Sequence, residues 1–348
     1  MRTELDIGGW RVTAPARAAT AGLTAAPPVS VLVSYRGAQD TIGEAVQSLL
    51  DQTVAPYEIV VCDDGSADDV HEGLGELLRE VQLLQKPPGG TGSAINAAAR
   101  VASGEHLLAL DARDVFEPRR IEAVSAVLAA RPDLDIVATD AIIEREGEPV
   151  STLGRISPFP PAEERRAMLG RCTFLWPSVR RSTLLENGGL DESLRALGDW
   201  DCWLRLVLAG ASVAYVHEPL YRRRLTRAAH SAASMVAHLE DQVRLTEKAL
   251  DEGWLDEDER ALADELLEER KCRLARELAR AAVESRDRAA RERSLPLLTG
   301  HGFRVATRAK AAATMVSPAL ASRFLARHRD ADELDELELT GRGLRLPA

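Results

Sequence analysis

The chain is short of cysteine, of basic charge and of long apolar runs, and each shortage removes a class of protein. Its four cysteines, Cys62, Cys172, Cys202 and Cys272, are scattered through 348 residues without a CxxC pair. Neither a zinc site nor a disulfide framework is indicated, and a reducing cytoplasm fits. Acidic residues outnumber basic ones, 55 to 44, for a formal net charge of −11. Phosphate backbones need the opposite sign, so nucleic acid is not the expected partner. No apolar run reaches the ~18 residues that a membrane-spanning helix requires. The first twenty residues, MRTELDIGGWRVTAPARAAT, contain acids and no continuous apolar core, which argues against a signal peptide. No repeat of fixed period is present. The glycine-rich GGTGSA at 89–94 lacks the Gly-Lys-Ser/Thr ending of a P-loop.

What the chain does have, from about Val29 to Thr139, is a regular alternation of β-branched runs with helical stripes. Val29–Ser34, Ile59–Cys62, Val81–Gln85, His106–Leu110 and Asp135–Thr139 read as strands. Ile42, Val46, Leu49 and Leu50 mark a helix opened by a Thr41/Glu44 capping box. Further helices follow at Val70–Leu78, at Ile95–Val101 and after Pro118, the last with Ile121, Val124, Val127 and Leu128 inward. Strands and helices at this spacing predict βαβ units and a mostly parallel sheet. A hairpin with Gly147 at its turn, strands at Phe174–Val179 and Ser212–Val216, and a helix over Leu197–Gly210 complete this part. Residues 1–27, rich in Ala, Thr and Pro, read as a flexible lead-in. The domain that follows spans 28–232, and 233–348 is a helical appendage. Helices are expected there at Ser234–Asp251, Asp256–Arg293 (stripe Leu262, Leu266, Leu274, Leu278) and Phe303–His328, before an acidic tail.

Two strands run straight into carboxylates. EIVVCDDGSADD puts Asp63 and Asp64 at one strand end, and EHLLALDARDVFEP puts Asp111 and Asp114 at another. The turn PPGGTGSAIN lies between them. Ligands of open parallel sheets bind beyond the carboxyl ends of strands, so two acidic strand ends suggest a polyhydroxyl or diphosphate ligand, with or without a divalent metal.

In order and spacing, VSVLVSYRG, SLLDQT, EIVVCDDGSADD, LDARDVFEP, GGLDESLRALGDWDCWLRLVLAG and PLYRRR resemble family 2 glycosyltransferases of the GT-A fold. The resemblance covers about 28–232. It implies an α/β GT-A domain whose Asp64 reads the nucleotide base of a sugar donor, with Ser34 and Arg36 lining the same pocket and Asp63 bracing the loop. Asp111 matches the first aspartate of the family's metal-binding DxD, which serves Mg²⁺ or Mn²⁺. The sequence then departs from the family, because Arg113 stands where the second metal ligand belongs. Side chains two apart in an extended segment share a face and neighbours do not. Three readings stay open: Asp114 takes over as metal ligand after a local shift, Arg113 itself supplies the positive charge, or the site is impaired. Asp199, in GDWDCWLR, matches the family's catalytic base, with Trp200 and Trp203 near enough to exclude water. Asp201 is expected to pair with Arg205. His230 resembles a late family position that approaches the donor phosphates. The arginines of Tyr221–Arg224 read as a solvated basic edge, with a diphosphate contact as the alternative.

The resemblance implies an inverting hexosyltransferase that moves a sugar from a nucleotide-diphosphate donor to a saccharide or lipid-linked acceptor. Peripheral membrane contact and self-association through the C-terminal helices are its further expectations. The rival reading is a non-catalytic nucleotide-binding or scaffold module, motivated by Arg113.

Overall fold

The structure is a computed structural model that describes residues 2–15, 25–160, 162–225 and 232–284. The chain divides into two units, 1–225 and 226–348.

In the first unit, strands β1 (Arg2–Ile7) and β2 (Trp10–Pro15) precede β3 (Val29–Tyr35), α1 (Gln39–Leu50) and β4 (Glu58–Asp63). Then come α2 (Val70–Leu74) with a 3-10 turn at Gly75–Glu80, β5 (Gln82–Gln85), α3 (Thr91–Val101), β6 (His106–Asp111) and the short β7 (Val115–Phe116). Next are α4 (Arg120–Ala130), β8 (Ile136–Arg145), β9 (Glu148–Thr152), α5 (Leu153–Ile156) and α6 (Glu164–Gly170). The unit closes with β10 (Ser178–Arg180), α7 (Arg181–Glu186), α8 (Gly198–Leu208) and β11 (Val213–Leu225). All strands join one sheet in the order β1-β2-β11-β8-β10-β6-β3-β4-β5, with β7 paired to β11 and β9 to β8.

Why β3 sits at the centre follows from its composition. Every residue of VSVLVSY is buried, as a strand covered on both faces requires. It pairs in parallel with β4 on one side and β6 on the other, so the chain winds outward through β4 and β5, then returns across β3 to place β6. That reversal creates a crevice beyond the carboxyl ends of β3 and β6. Its register sets Ser34 opposite both Cys62 and Asp111, and Tyr35 opposite Asp63.

The α/β sheet has the expected parallel core: β3, β4, β5 and β6 and the β8–β11 pair are parallel, and the other pairings among the described residues are antiparallel. Two expectations are corrected. Residues 2–15 are no loose lead-in but a hairpin whose β2 pairs with β11. Trp10 and Val12 bury against Val124, Val127 and Leu128 of α4 and Val216 and Leu220 of β11, an apolar gain that local composition conceals. The Phe174–Val179 strand shrinks to Ser178–Arg180, and Trp176 takes a left-handed φ of 44°. The Gly147 hairpin forms as expected, with φ 86° at that glycine.

The second unit is described through α9 (Ala232–Asp251) and α10 (Glu257–Glu284). Val236, Leu239 and Val243 of α9 pack with Leu274 and Leu278 of α10. The helix expected at Phe303–His328, the acidic tail and His230 lie outside the described residues. No helix among the described residues is long and apolar enough to cross a membrane.

Candidate active site

The site is built on the carboxyl ends of β4, β3 and β6, with the start of α8 and the end of β11 completing it. Asp64 follows β4. Gly65, at φ 67°, turns the chain there with its Cα against Pro88, where a Cβ would come within 2.5 Å of the proline ring. The buried Asp64 carboxylate accepts Lys86 Nζ at 2.8 Å and the amides of Gly89 at 2.8 Å and Gly90 at 2.7 Å. Arg36 Nη1 adds a contact at 3.3 Å. Burial opposes the charge, but Lys86 and the two glycine amides outweigh it and hold this carboxyl below the usual carboxylate range. Asp64 therefore organises the glycine loop. Asp63 braces the turn, accepting the Ser66 amide at 2.9 Å and Gln85 Nε2 at 3.2 Å. Ser34 is buried, and its carbonyl accepts the Ala112 amide at 3.0 Å.

Asp111 ends β6. Its Oδ1 accepts the backbone amide of Arg113 at 2.9 Å and Arg113 Nη1 at 3.3 Å. Arg113 Nη2 donates to the carbonyls of Arg36 and Gly37, so this one guanidinium ties the β6 end to the β3 loop. Asp114 turns inward and is 2% exposed. Tyr221 Oη donates to its Oδ2 at 2.6 Å, and the Arg224 amide donates to its Oδ1 at 2.8 Å. Burial pushes its carboxyl up to about 6, against the nearby charge of Arg223. Behind Tyr221 lies the fully buried Arg120, its Cζ 4.7 Å from the Tyr221 ring centroid and 4.2 Å from that of Phe116. Arg120 Nη2 donates to the carbonyl of the strained Trp176 at 2.5 Å.

The same β11 segment carries Arg223. Alternation along the strand puts Tyr221 and Arg223 on one face and Arg222 and Arg224 on the other. Arg222 pairs with Glu117 at 2.8 Å and Glu144 at 3.1 Å. Arg224 pairs with Glu44 at 2.6 Å and Glu144 at 3.3 Å. Arg223 is 40% exposed, and its contact to Asp114 Oδ2 is 3.8 Å. Among the described residues its guanidinium donates no hydrogen bond. Burial opposes its charge, but Asp114, Tyr221, Asp111 and Asp199 together outweigh that and hold the guanidinium firmly protonated.

Asp199 lies in the first turn of α8. Its Oδ1 accepts the Trp200 amide at 2.8 Å. Burial pushes its carboxyl above the usual range, against the Trp200 amide and Arg223. Asp201, as expected, is structural: its Oδ2 accepts Arg205 Nε at 2.7 Å.

Several of the expected residues are linked by contacts, while His230 lies outside the described residues. Arg36 and Arg113 link Asp64 to Asp111, and Arg223 lies 3.8 Å from Asp114, its charge also felt by Asp111 and Asp199. Two residues escaped the sequence reading. Lys86 directly precedes the glycine loop, where no basic residue was expected. Arg223 is read from the sequence with the other arginines of YRRR as a solvated edge, a diphosphate contact being the alternative, and period-two alternation is the signal that separates it from Arg222 and Arg224.

The donor set does not fit a divalent ion held by the protein. Asp111 is engaged by Arg113, both oxygens of Asp114 are taken by Tyr221 and Arg224, and no group of three His, Cys, Asp or Glu residues among those described could hold a metal. A hard cation of this kind needs several open oxygen ligands. The expectation that Asp114 replaces the missing ligand is therefore not met by this arrangement.

Comparison with known proteins bears on family and fold. Residues 30–180 match the family model described as glycosyl transferase family 2. The chondroitin synthase of Escherichia coli is 30% identical over 212 residues, which are 59% of this chain and 30% of that enzyme. The structure of S. aureus TarS 1-349 in complex with UDP-GlcNAc superposes with a TM-score of 0.59 at 18% identity, covering 78% of this chain and 79% of that one. The mannosyltransferase PcManGT from Pyrobaculum calidifontis, in complex with GDP-Man and Mn²⁺, superposes with a TM-score of 0.53 at 19% identity, covering 87% and 89%. The fold is GT-A.

Proposed function

We propose that this chain, a member of glycosyltransferase family 2 through residues 30–180, transfers a hexose from a nucleotide-diphosphate donor to a hydroxyl acceptor with inversion. The acceptor oxygen would form a bond to the anomeric carbon. The bond from that carbon to the diphosphate oxygen would break, and the nucleoside diphosphate would leave with the electron pair. The acceptor proton would pass to Asp199. A carboxylate base works best when its pKa is raised toward the working pH, and burial raises that of Asp199. Asp64 with Arg36 would meet the base of the donor, and Asp111 its ribose and phosphate region. The relative that makes chondroitin supports a growing saccharide as acceptor, free or lipid-linked. Catalysis is assigned to 28–232, with 233–348 as an appendage.

One observation carries this reading. Arg223 lies 3.8 Å from Asp114 at the donor end, and its charge is also felt by Asp111 and by Asp199 at the acceptor end, which supports placing both halves of a displacement around it. The test is turnover of UDP-, dTDP- and GDP-sugar panels by the purified protein. Asp199→Asn keeps the shape and removes the base, and should lower turnover about 10²–10⁴-fold. Unchanged turnover in that variant would remove Asp199 from the mechanism. Nucleotide binding without turnover across the panel would favour the non-catalytic module.

A further inference from the structure

Each carboxylate at the donor end already faces a cation of the chain itself. Asp64 meets Lys86 at 2.8 Å and Arg36 at 3.3 Å, Asp111 meets Arg113 at 3.3 Å, and Asp114 meets Arg223 at 3.8 Å. In a metal-dependent site the carboxylates wait uncompensated for the ion. Here a divalent cation would meet an Asp111 already neutralised through its Oδ1 by Arg113, and would have to displace hydrogen-bond donors from both oxygens of the buried Asp114. Meanwhile Arg223 is 40% exposed and Arg113 38% exposed, and Arg223 has its donors uncommitted among the described residues. A guanidinium offers five N–H donors in a planar fork that matches phosphate oxygens, and it stays charged. Arg223 contacts Asp114 at 3.8 Å and feels the charges of Asp111 and Asp199, a position suited to the leaving diphosphate if Asp199 is the base.

We propose that Arg223 and Arg113 bind the donor's diphosphate directly and do the work of a divalent cation, so that this chain binds nucleoside diphosphates without metal. The inference rests on the glycosyltransferase reading. Arg223 is the principal ligand, because its hydrogen-bonding capacity is open. Arg113 keeps Asp111 neutralised and adds charge at the rim.

The experiment is titration calorimetry of the full chain with UDP, dTDP and GDP, each in excess EDTA and in Mn²⁺, with the matching nucleosides as controls. The expected result is that at least one diphosphate binds equally well in both conditions and far more tightly than its nucleoside. Arg223→Met should weaken that binding about 10–100-fold, the loss of charged hydrogen bonds. Arg113→Asp sets a second carboxylate beside Asp111, and should bind the same diphosphate more weakly in EDTA than the unaltered chain does and more tightly in Mn²⁺ than in EDTA. Should Arg223→Met fail to fold, the EDTA comparison on the unaltered chain and the Arg113→Asp variant still decide. A Mn²⁺ requirement in the unaltered chain overturns the inference and leaves the glycosyltransferase reading standing. Failure of every diphosphate to bind in both conditions overturns both.

Discussion

At the scale of single residues, the site is a set of carboxylates given different tasks by their surroundings. Asp64 is held charged by Lys86 and two amides. Asp114, deep and hydrogen-bonded by Tyr221, is pushed up to about 6. Asp199 is raised by burial while keeping one face toward Arg223. The difference carries a prediction for pH dependence. A base works when deprotonated, so activity falls as pH drops through its pKa. Because the Asp199 pKa is raised, the acid limb of kcat/KM should lie above the range of an ordinary aspartate near 3.8. Substituting Arg223 by Met removes the charge that opposes this shift, and should move the limb further up in pH. A pH profile of kcat/KM for both proteins checks this. A limb at the ordinary aspartate value in the unaltered enzyme, or a downward move in the variant, contradicts the assignment.

At the scale of elements, β11 is a strand with two occupations. Its Arg222/Arg224 face is sealed by Glu44, Glu117 and Glu144, while its Tyr221/Arg223 face turns to the site. Arg222→Ala should therefore destabilise by about 1–3 kcal/mol, because it leaves part-buried carboxylates short of partners. It should leave diphosphate affinity nearly unchanged. Arg223→Met should do the reverse. Denaturant unfolding beside calorimetry separates the two, and equal effects on both measurements would mean the faces are not distinct. The same strand shows what local sequence can and cannot reveal. The β3, β4 and β6 strands are legible as short apolar runs, β-branched in β3 and β4 and leucine-rich in β6, and Asp64 and Asp111 are legible because they close those runs. The Thr41/Glu44 capping box does not form, because α1 starts at Gln39 with Ala38 as its N-cap; Thr41 Oγ1 donates to the Ala38 carbonyl and Glu44 pairs with Arg224, 180 positions along the chain. The N-terminal hairpin was missed because its partner β11 lies some two hundred residues on. Phe174–Val179 could not remain a strand, since the Trp176 carbonyl turns to the buried Arg120. The hairpin and the Phe174–Val179 segment are cases of a non-local partner overriding a local preference.

At the scale of the whole molecule, each of the two units has its own apolar core, and the helical one carries a polar feature that sets its response to acid. Arg270 is buried between α9 and α10 and donates to Thr246 Oγ1. His238 of α9 is pushed down to about 4, first by burial and then by the charges of Arg273 and Arg270. Its Nε2 lies 3.2 Å from Gln242 Nε2, so the neutral ring suits this position. The unfolded chain would protonate His238 near 6.5, and the folded chain resists until about 4. A lowered histidine pKa gives stability that is full above the unfolded value and drains away as pH falls below it. The helical pair should therefore lose about 1–2 kcal/mol between about pH 7 and 5, after allowance for the part-exposed ring. His238→Gln should flatten that slope without abolishing the fold, because the amide cannot take up a proton. Hydrogen exchange of the amides in α9 and α10 at a series of pH values measures this unit alone. If opening of these helices is as easy at pH 7 as at pH 5, or if His238→Gln keeps the slope, the histidine is not the group that senses acid.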